Sequence, residues 1–222
     1  AHKKEAVKAD NNPFANGLKK NVKQLKSWIK QQDIECYRVY DADIPEYNVA
    51  VDIYRDHAVV HEYQAPKNIP QQTSEKRFAE ALAVLPEVLE LPIQNIHSKT
   101  RVRQKGKDQY NKMDSKSRPM MVKEYGAKYY VNLTDYLDTG VFLDHRKTRQ
   151  LFAQMAKGKS VLNLFAYTGT VSVQAALRGA SSVTTVDMSK TYINWAQDNF
   201  TLNGLKGVKY QFVQDDCLSW LE

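Results

Sequence analysis

Between Val161 and Thr170 the chain reads Val-Leu-Asn-Leu-Phe-Ala-Tyr-Thr-Gly-Thr, an apolar strand that breaks into a turn of small residues and opens a helix. A strand leading through a tight turn into a helix is the repeating unit of an open parallel sheet, and its first turn lies where such a sheet parts to admit a nucleotide-like ligand. The pattern repeats downstream. Strand 160–166, helix 170–178, strand 182–187, helix 190–202, a turn at Asn203-Gly204, strand 208–213 and a short helix from Asp216 alternate at the spacing of right-handed parallel crossovers. Upstream, Gly140 to Arg146 leads into helix 147–156, and Lys157-Gly158-Lys159 returns the chain to the first strand. The second strand ends in Asp187, placed to accept hydrogen bonds from ribose hydroxyls.

The chemistry of the turn narrows the ligand. A dinucleotide turn needs several glycines so that backbone amides can approach a pyrophosphate, whereas Phe165-Ala166-Tyr167-Thr168-Gly169 has one glycine and two bulky aromatics. That suits a ligand without phosphates. S-adenosylmethionine has an amino-acid end for the glycine turn, a ribose for Asp187 and an adenine for a third site beyond strand three, where Gln214-Asp215-Asp216-Cys217 supplies an acid. Asp216 is assigned to the adenine amino group; a plain helix cap is the alternative for either acid and the better reading for Asp215. Asn163 stands inside an apolar strand, so its amide needs a partner, either the ligand or the turn backbone. His145 and Arg146 open the helix before strand one and are weaker candidates for the cofactor carboxylate or a substrate phosphate; a helix-start histidine is the simpler reading of His145.

The first half is organised differently. Residues 14–32 place Leu18, Val22, Leu25, Trp28 and Ile29 at helical intervals among five lysines. Segments 35–40, 47–54 and 57–63 read as antiparallel strands, 74–91 as a helix with Ser74 as N-cap and Pro86 bending or dividing it, and 96–104 and 120–133 as further strands. The predicted organisation is a linker and amphipathic helix over 1–33, a small α+β domain over 34–138, and the N-terminal part of a methyltransferase domain over 139–222. Alternation puts Lys99, Arg101, Arg103 and Lys105 on one face of a strand, with Lys107 and Tyr110 in the loop beyond, a pattern for RNA contact; a solvated edge strand explains the same charges. A formal net charge of +7 over 222 residues suits a polyanion partner without requiring one. Mean hydropathy of −0.58 with no long apolar run argues against a membrane span. Cys36 and Cys217 are too few for a disulfide framework or a cysteine-based zinc site; they fit a reducing cytoplasm, and no metal is expected.

Several segments together resemble one family. Asn12 to Asn16, Tyr37 to Asp52, Arg101 to Lys107, Asn132 to Gly140 and Asn163 to Gly169 are similar to the C-terminal half of the bacterial bifunctional ribosomal RNA large subunit methyltransferase K/L family, and the similarity runs from about Asn12 to the last residue. It implies a truncated Rossmann-like class I methyltransferase domain preceded by a small α+β RNA-facing domain and a helix. The implied activity is S-adenosylmethionine-dependent methylation of guanine N7 in 23S ribosomal RNA, with an upstream methyltransferase half in the same polypeptide. By matching position, the cofactor site comprises Asn163, Phe165, Ala166, Tyr167, Thr168 and Gly169, then Asp187 with Met188 at the ribose, and Asp216 with Cys217 by the adenine. The family usually carries arginine where this chain has Gly17, and its Asp-Pro-Pro motif, which lines the target-base pocket after a fourth strand, is not among these residues.

These features set the remaining expectations. The chain reads as a piece that starts within a linker and stops before the fourth strand, inactive alone, its shortened sheet edge open to self-association. Two other functions fit parts of the pattern. One is a cytosine-C5 methyltransferase of 23S ribosomal RNA, which needs a cysteine nucleophile; the other is a non-catalytic RNA-binding module.

Overall fold

The computed structural model describes residues 11–65, 68–100 and 119–222. The chain divides into two compact units, 1–113 and 114–222, each with its own sheet architecture.

The first unit opens with α1 (Pro13–Gln32), and its start is written in the sequence. Asn12 accepts from the Ala15 N–H, and Pro13 takes a first-turn position where no N–H is needed. Then come β1 (Cys36–Asp41), β2 (Val49–Tyr54), β3 (His57–Glu62), α2 (Gln71–Leu89) and β4 (Ile96–Thr100). The sheet order is β1-β2-β3-β4, antiparallel except for the parallel pair β3–β4, which α2 connects. Val49, Val51 and Ile53 alternate to one face and join Phe14, Leu18, Val84 and Leu85 from the helices in a buried core. Ser74 is not the N-cap of α2: the helix begins three residues earlier, after Pro70, and Pro86 sits within it without dividing it.

On the other face of β2, Asp52 is buried and binds Arg38 through both carboxylate oxygens, at 2.7 and 3.1 Å, and His61 at 3.2 Å. Arg38 also reaches the Tyr63 hydroxyl, which donates to Asp41. Burial alone raises the Asp52 carboxyl, but the hydrogen bonds from His61 and Arg38 outweigh it and hold the group below the usual carboxylate range.

The second unit starts with a hairpin, β5 (Met120–Glu124) and β6 (Ala127–Val131), closed by Tyr125-Gly126, both with positive φ as a two-residue hairpin turn requires. After a 3-10 turn at Leu143–His145 the order is α3 (Arg146–Met155), β7 (Ser160–Leu164), α4 (Thr170–Leu177), β8 (Ser182–Asp187), α5 (Lys190–Leu202), β9 (Tyr210–Gln214) and α6 (Cys217–Leu221). Strands β7, β8 and β9 pair in parallel in that order, as their alternation with helices predicts.

The boundary between the units corrects the sequence reading, which put residues up to 138 in the first domain. The hairpin belongs to the second unit because side chains of that unit satisfy its backbone. The Asn199 carbonyl accepts from Tyr130 N–H, the Trp195 indole donates to Tyr130 O, Asn203 both accepts from and donates to Lys128, and Gln174 donates to Glu124 O. Glu124, wholly buried, is held by Arg146 and Arg149 at 2.7 to 2.8 Å.

Candidate functional site

At the carboxyl ends of the three parallel strands, residues 165–169 form the turn that joins β7 to α4. Phe165 and Tyr167 both adopt left-handed backbone, with φ of 52° and 53°, which costs a non-glycine residue roughly 1–2 kcal/mol. Each strained residue has its N–H captured by a side chain from another element. Phe165 N–H donates to Cys217 Sγ at 3.1 Å, and Tyr167 N–H to Asp187 Oδ2 at 2.8 Å. Ala166 N–H between them donates to Val186 O. Strain stabilised from three directions at the mouth of a parallel sheet is the signature of a functional turn.

The residues singled out from sequence separate into those that line the turn and those that support it. Phe165 and Met188 are 69% and 61% exposed, large apolar side chains at the ends of adjacent strands. Tyr167 is half-buried, in a cluster with Phe142 at 4.9 Å and Tyr192 at 4.5 Å between ring centres. Asp187 accepts one backbone N–H on each oxygen, from Tyr167 and Ser189, which leaves lone pairs on both for further donors.

Ala166, Thr168, Gly169 and Cys217 are buried. The Thr168 hydroxyl donates to Gly140 O, and the Cys217 thiol donates to Val186 O while accepting from Phe165 N–H, so its side chain braces the turn from beneath. Gly169 makes room for α5: a Cβ there would lie 2.8 Å from the Ala196 Cβ.

Three assignments change. Asn163 donates to the Ser172 hydroxyl, which also receives a hydrogen bond from Thr185, so its partner is a side chain of α4 and not the turn backbone. Arg146 is buried, its Nε committed to Glu124; sequence position shows that it starts a helix but not that it turns inward. The cap of α6 is Asp216, not Asp215: its Oδ1 accepts from Leu218 and Ser219 N–H, and the Ser219 amide, with that of Leu218, holds its carboxyl below the usual range. Asp215 Oδ1 accepts from Asp216 N–H. His145 is exposed, 3.8 Å from Asp144.

Lys99 of the proposed basic stripe is buried at 6% exposure, so it is not part of a solvated cationic face. Arg101, Arg103, Lys105, Lys107 and Tyr110 lie outside the described residues. The sequence reading missed Asn199, Trp195, Gly140, Glu124 and Arg149. For Asn199 the available signal was an amide within an apolar-faced helix, where asparagine is a poor helix former. No group of histidine, cysteine and acidic side chains that fits a metal ion occurs among the described residues, and no described helix is long and apolar enough to cross a membrane.

Residues 116–221, nearly all of the second unit, match the family model of the S-adenosylmethionine-dependent methyltransferases, and the fold is that of this class. A solved structure assigned as a methyltransferase and complexed with S-adenosylhomocysteine is 25% identical, superposes with a TM-score of 0.75, and is matched over 98% of this chain and 55% of that one. More particularly, the chain is 59% identical over 209 residues to ribosomal RNA large subunit methyltransferase K/L of Shewanella loihica, covering 94% of this chain and 29% of that protein. The protein of the same name from Colwellia psychrerythraea is 56% identical over 213 residues, 96% of this chain and 30% of its own length. The chain thus spans about 30% of the length of these relatives.

Proposed function

We propose that this chain carries the cofactor site of an enzyme that methylates guanine N7 in 23S ribosomal RNA. The observation that supports it most is the braced turn at Phe165–Gly169 with Asp187 beside it, in a chain so similar to enzymes named for large-subunit ribosomal RNA. S-adenosylmethionine, when bound, supplies a methyl group on a sulfonium. The residues present fit it. Asp187 has lone pairs for ribose hydroxyls, Phe165 and Met188 offer apolar surface to a flat base, and Asp216 keeps Oδ2 for an exocyclic amine while Oδ1 caps α6. Cys217 and Asn163 hold the turn and β7 in place.

Guanine N7 has an in-plane lone pair and no proton to remove, so transfer demands in-line alignment and no general base. His145 accordingly has no proton to take in this reaction. The RNA is held in part by Arg101, Arg103, Lys105, Lys107 and Tyr110, an assignment that rests on charge and stacking capacity in the sequence. The whole protein also includes an upstream methyltransferase half and acts in the cytoplasm. Self-association would use the outer edge of β7, which pairs with no described strand. Neither Cys36 nor Cys217 offers the cytosine-C5 alternative an accessible nucleophile, since both are buried. Nothing favours the non-catalytic module over the enzyme.

Calorimetric titration of the 222-residue chain with S-adenosylhomocysteine tests the site, with Asp187→Asn expected to weaken binding. The reaction is tested by incubating the full-length protein with tritiated S-adenosylmethionine and 23S ribosomal RNA, then locating N7-methylguanine by borohydride reduction and aniline scission. Label with no N7-methylguanine overturns the N7 assignment, whereas label elsewhere beside N7-methylguanine is the work of the upstream half.

A further inference from the structure

We propose that Asn199 is a positioning residue for the cofactor turn, through which the hairpin β5–β6 holds that turn in its binding shape. The proposal rests on the cofactor reading above and extends it to residues remote in sequence from the turn. Asn199 is wholly buried in the last turn of α5, and both ends of its amide are used. Oδ1 accepts from Tyr130 N–H at 2.8 Å, and Nδ2 donates to Thr168 O at 2.9 Å. The two roles are fixed chemically, because a backbone N–H needs an acceptor and a carbonyl needs a donor.

Thr168 lies between Tyr167 and Gly169, both in left-handed backbone. Its carbonyl belongs to the peptide plane that joins it to Gly169, so a donor fixed at that oxygen orients the plane and with it the final corner of the turn. The same residue is gripped from its other end, where its hydroxyl donates to Gly140 O. Gly140 in turn packs against the Trp195 ring, and a Cβ there would strike Cζ2. The hairpin, the segment 132–140 that follows it, and α5 therefore close on Thr168 together. Asn203 serves as an internal control: its amide binds the hairpin edge at Lys128 and the backbone carbonyl of Asn199, and none of these hydrogen bonds goes to the turn.

The test uses Asn199→Asp, Asn199→Ala and Asn203→Ala in the 222-residue chain. Asn199→Asp keeps an acceptor for Tyr130 but, when ionised, sets an oxygen against Thr168 O. Its affinity for S-adenosylhomocysteine is expected to fall about tenfold at pH 8, the factor that one displaced hydrogen bond gives. Affinity returns toward that of wild type, measured at each pH, as the buried carboxyl protonates and regains a donor. Asn203→Ala retains wild-type affinity. An Asn199→Asp protein that is folded by circular dichroism and binds like wild type at every pH overturns the proposal.

Amide exchange without ligand keeps this separate from the cofactor reading. Asn199→Ala is expected to speed exchange at Tyr167 and Gly169, and Asn203→Ala is not; equal exchange in the two variants overturns the positioning role. Wild-type protein that fails to bind S-adenosylhomocysteine overturns the cofactor reading, while the exchange comparison still decides the role of Asn199.

Discussion

Replacing Gly169 with alanine probes how closely α5 is seated on the cofactor turn. The new methyl would start 2.8 Å from the Ala196 Cβ and 3.4 Å from its Cα, where ordinary carbon contacts need about 3.5–4.0 Å. Both methyls are fixed to backbone, so no side-chain rotation relieves the contact and the helix itself must move by nearly 1 Å. Overpacking of this kind costs ~1–3 kcal/mol. The backbone adds a second cost, since φ at Gly169 is 71° and alanine in that region loses roughly 1–2 kcal/mol. The expected loss is therefore about 2–5 kcal/mol.

Gly158 isolates the backbone cost, with φ of 70° and nothing within 4 Å of its added Cβ. Gly158→Ala should lose only the roughly 1–2 kcal/mol of conformational strain. Urea unfolding followed by the fluorescence of Trp195 and Trp220 measures both variants. Equal losses at the two glycines would refute the packing argument. A second check is Gly169→Ala combined with Ala196→Gly, which removes the opposing methyl and should lose less than the sum of the single changes.

Other outcomes follow from the same geometry. Glu124→Gln leaves Arg146 and Arg149 buried with their anion gone, and should destabilise the second unit by ~3–5 kcal/mol in the same urea assay. Asp52, whose folded carboxyl is depressed, gives stability that is fully present above the ordinary carboxylate range near pH ~4 and is lost as pH falls through its folded value. Asp52→Asn should thus be less stable than wild type at pH 7 and show a flatter decline below pH ~4, seen in acid titration of far-UV circular dichroism. Cys217→Ala strands the Phe165 N–H and should weaken S-adenosylhomocysteine binding in calorimetry, whereas Cys217→Ser, which keeps an acceptor, should recover part of it.

The order of elements from β7 to α6 was legible because it depends on local signals: apolar runs, Asn203-Gly204, and the small-residue turn. What escaped was whatever depended on a partner distant in the chain. Residues 120–133 read as strand, without the turn at Tyr125-Gly126 that makes a hairpin of them, and the hairpin's place in the second unit is decided by Trp195, Asn199 and Asn203, some 65 to 75 positions away. The roles within the turn divided for the same reason. Alternation predicts which face of its strand Lys99 takes, yet it cannot show that Lys99 is covered. The single glycine suggested close approach by a ligand, and the atom it accommodates is the Cβ of Ala196.

The docking of α5 on the edge of β6 is a match between two different rulers. Four residues of a helix advance about 6.0 Å, and two residues of a strand advance about 6.8 Å. Asn199 opposite Tyr130 and Asn203 opposite Lys128 use one such step, where the mismatch is under ~1 Å and side chains absorb it. A further asparagine rung would drift twice as far. The contact at the other end is made instead by Trp195, whose long indole reaches back to the same residue, Tyr130. A helix can therefore stand in for a neighbouring strand over only a short distance, which ties the permissible length of this hairpin to the pitch of the helix beside it.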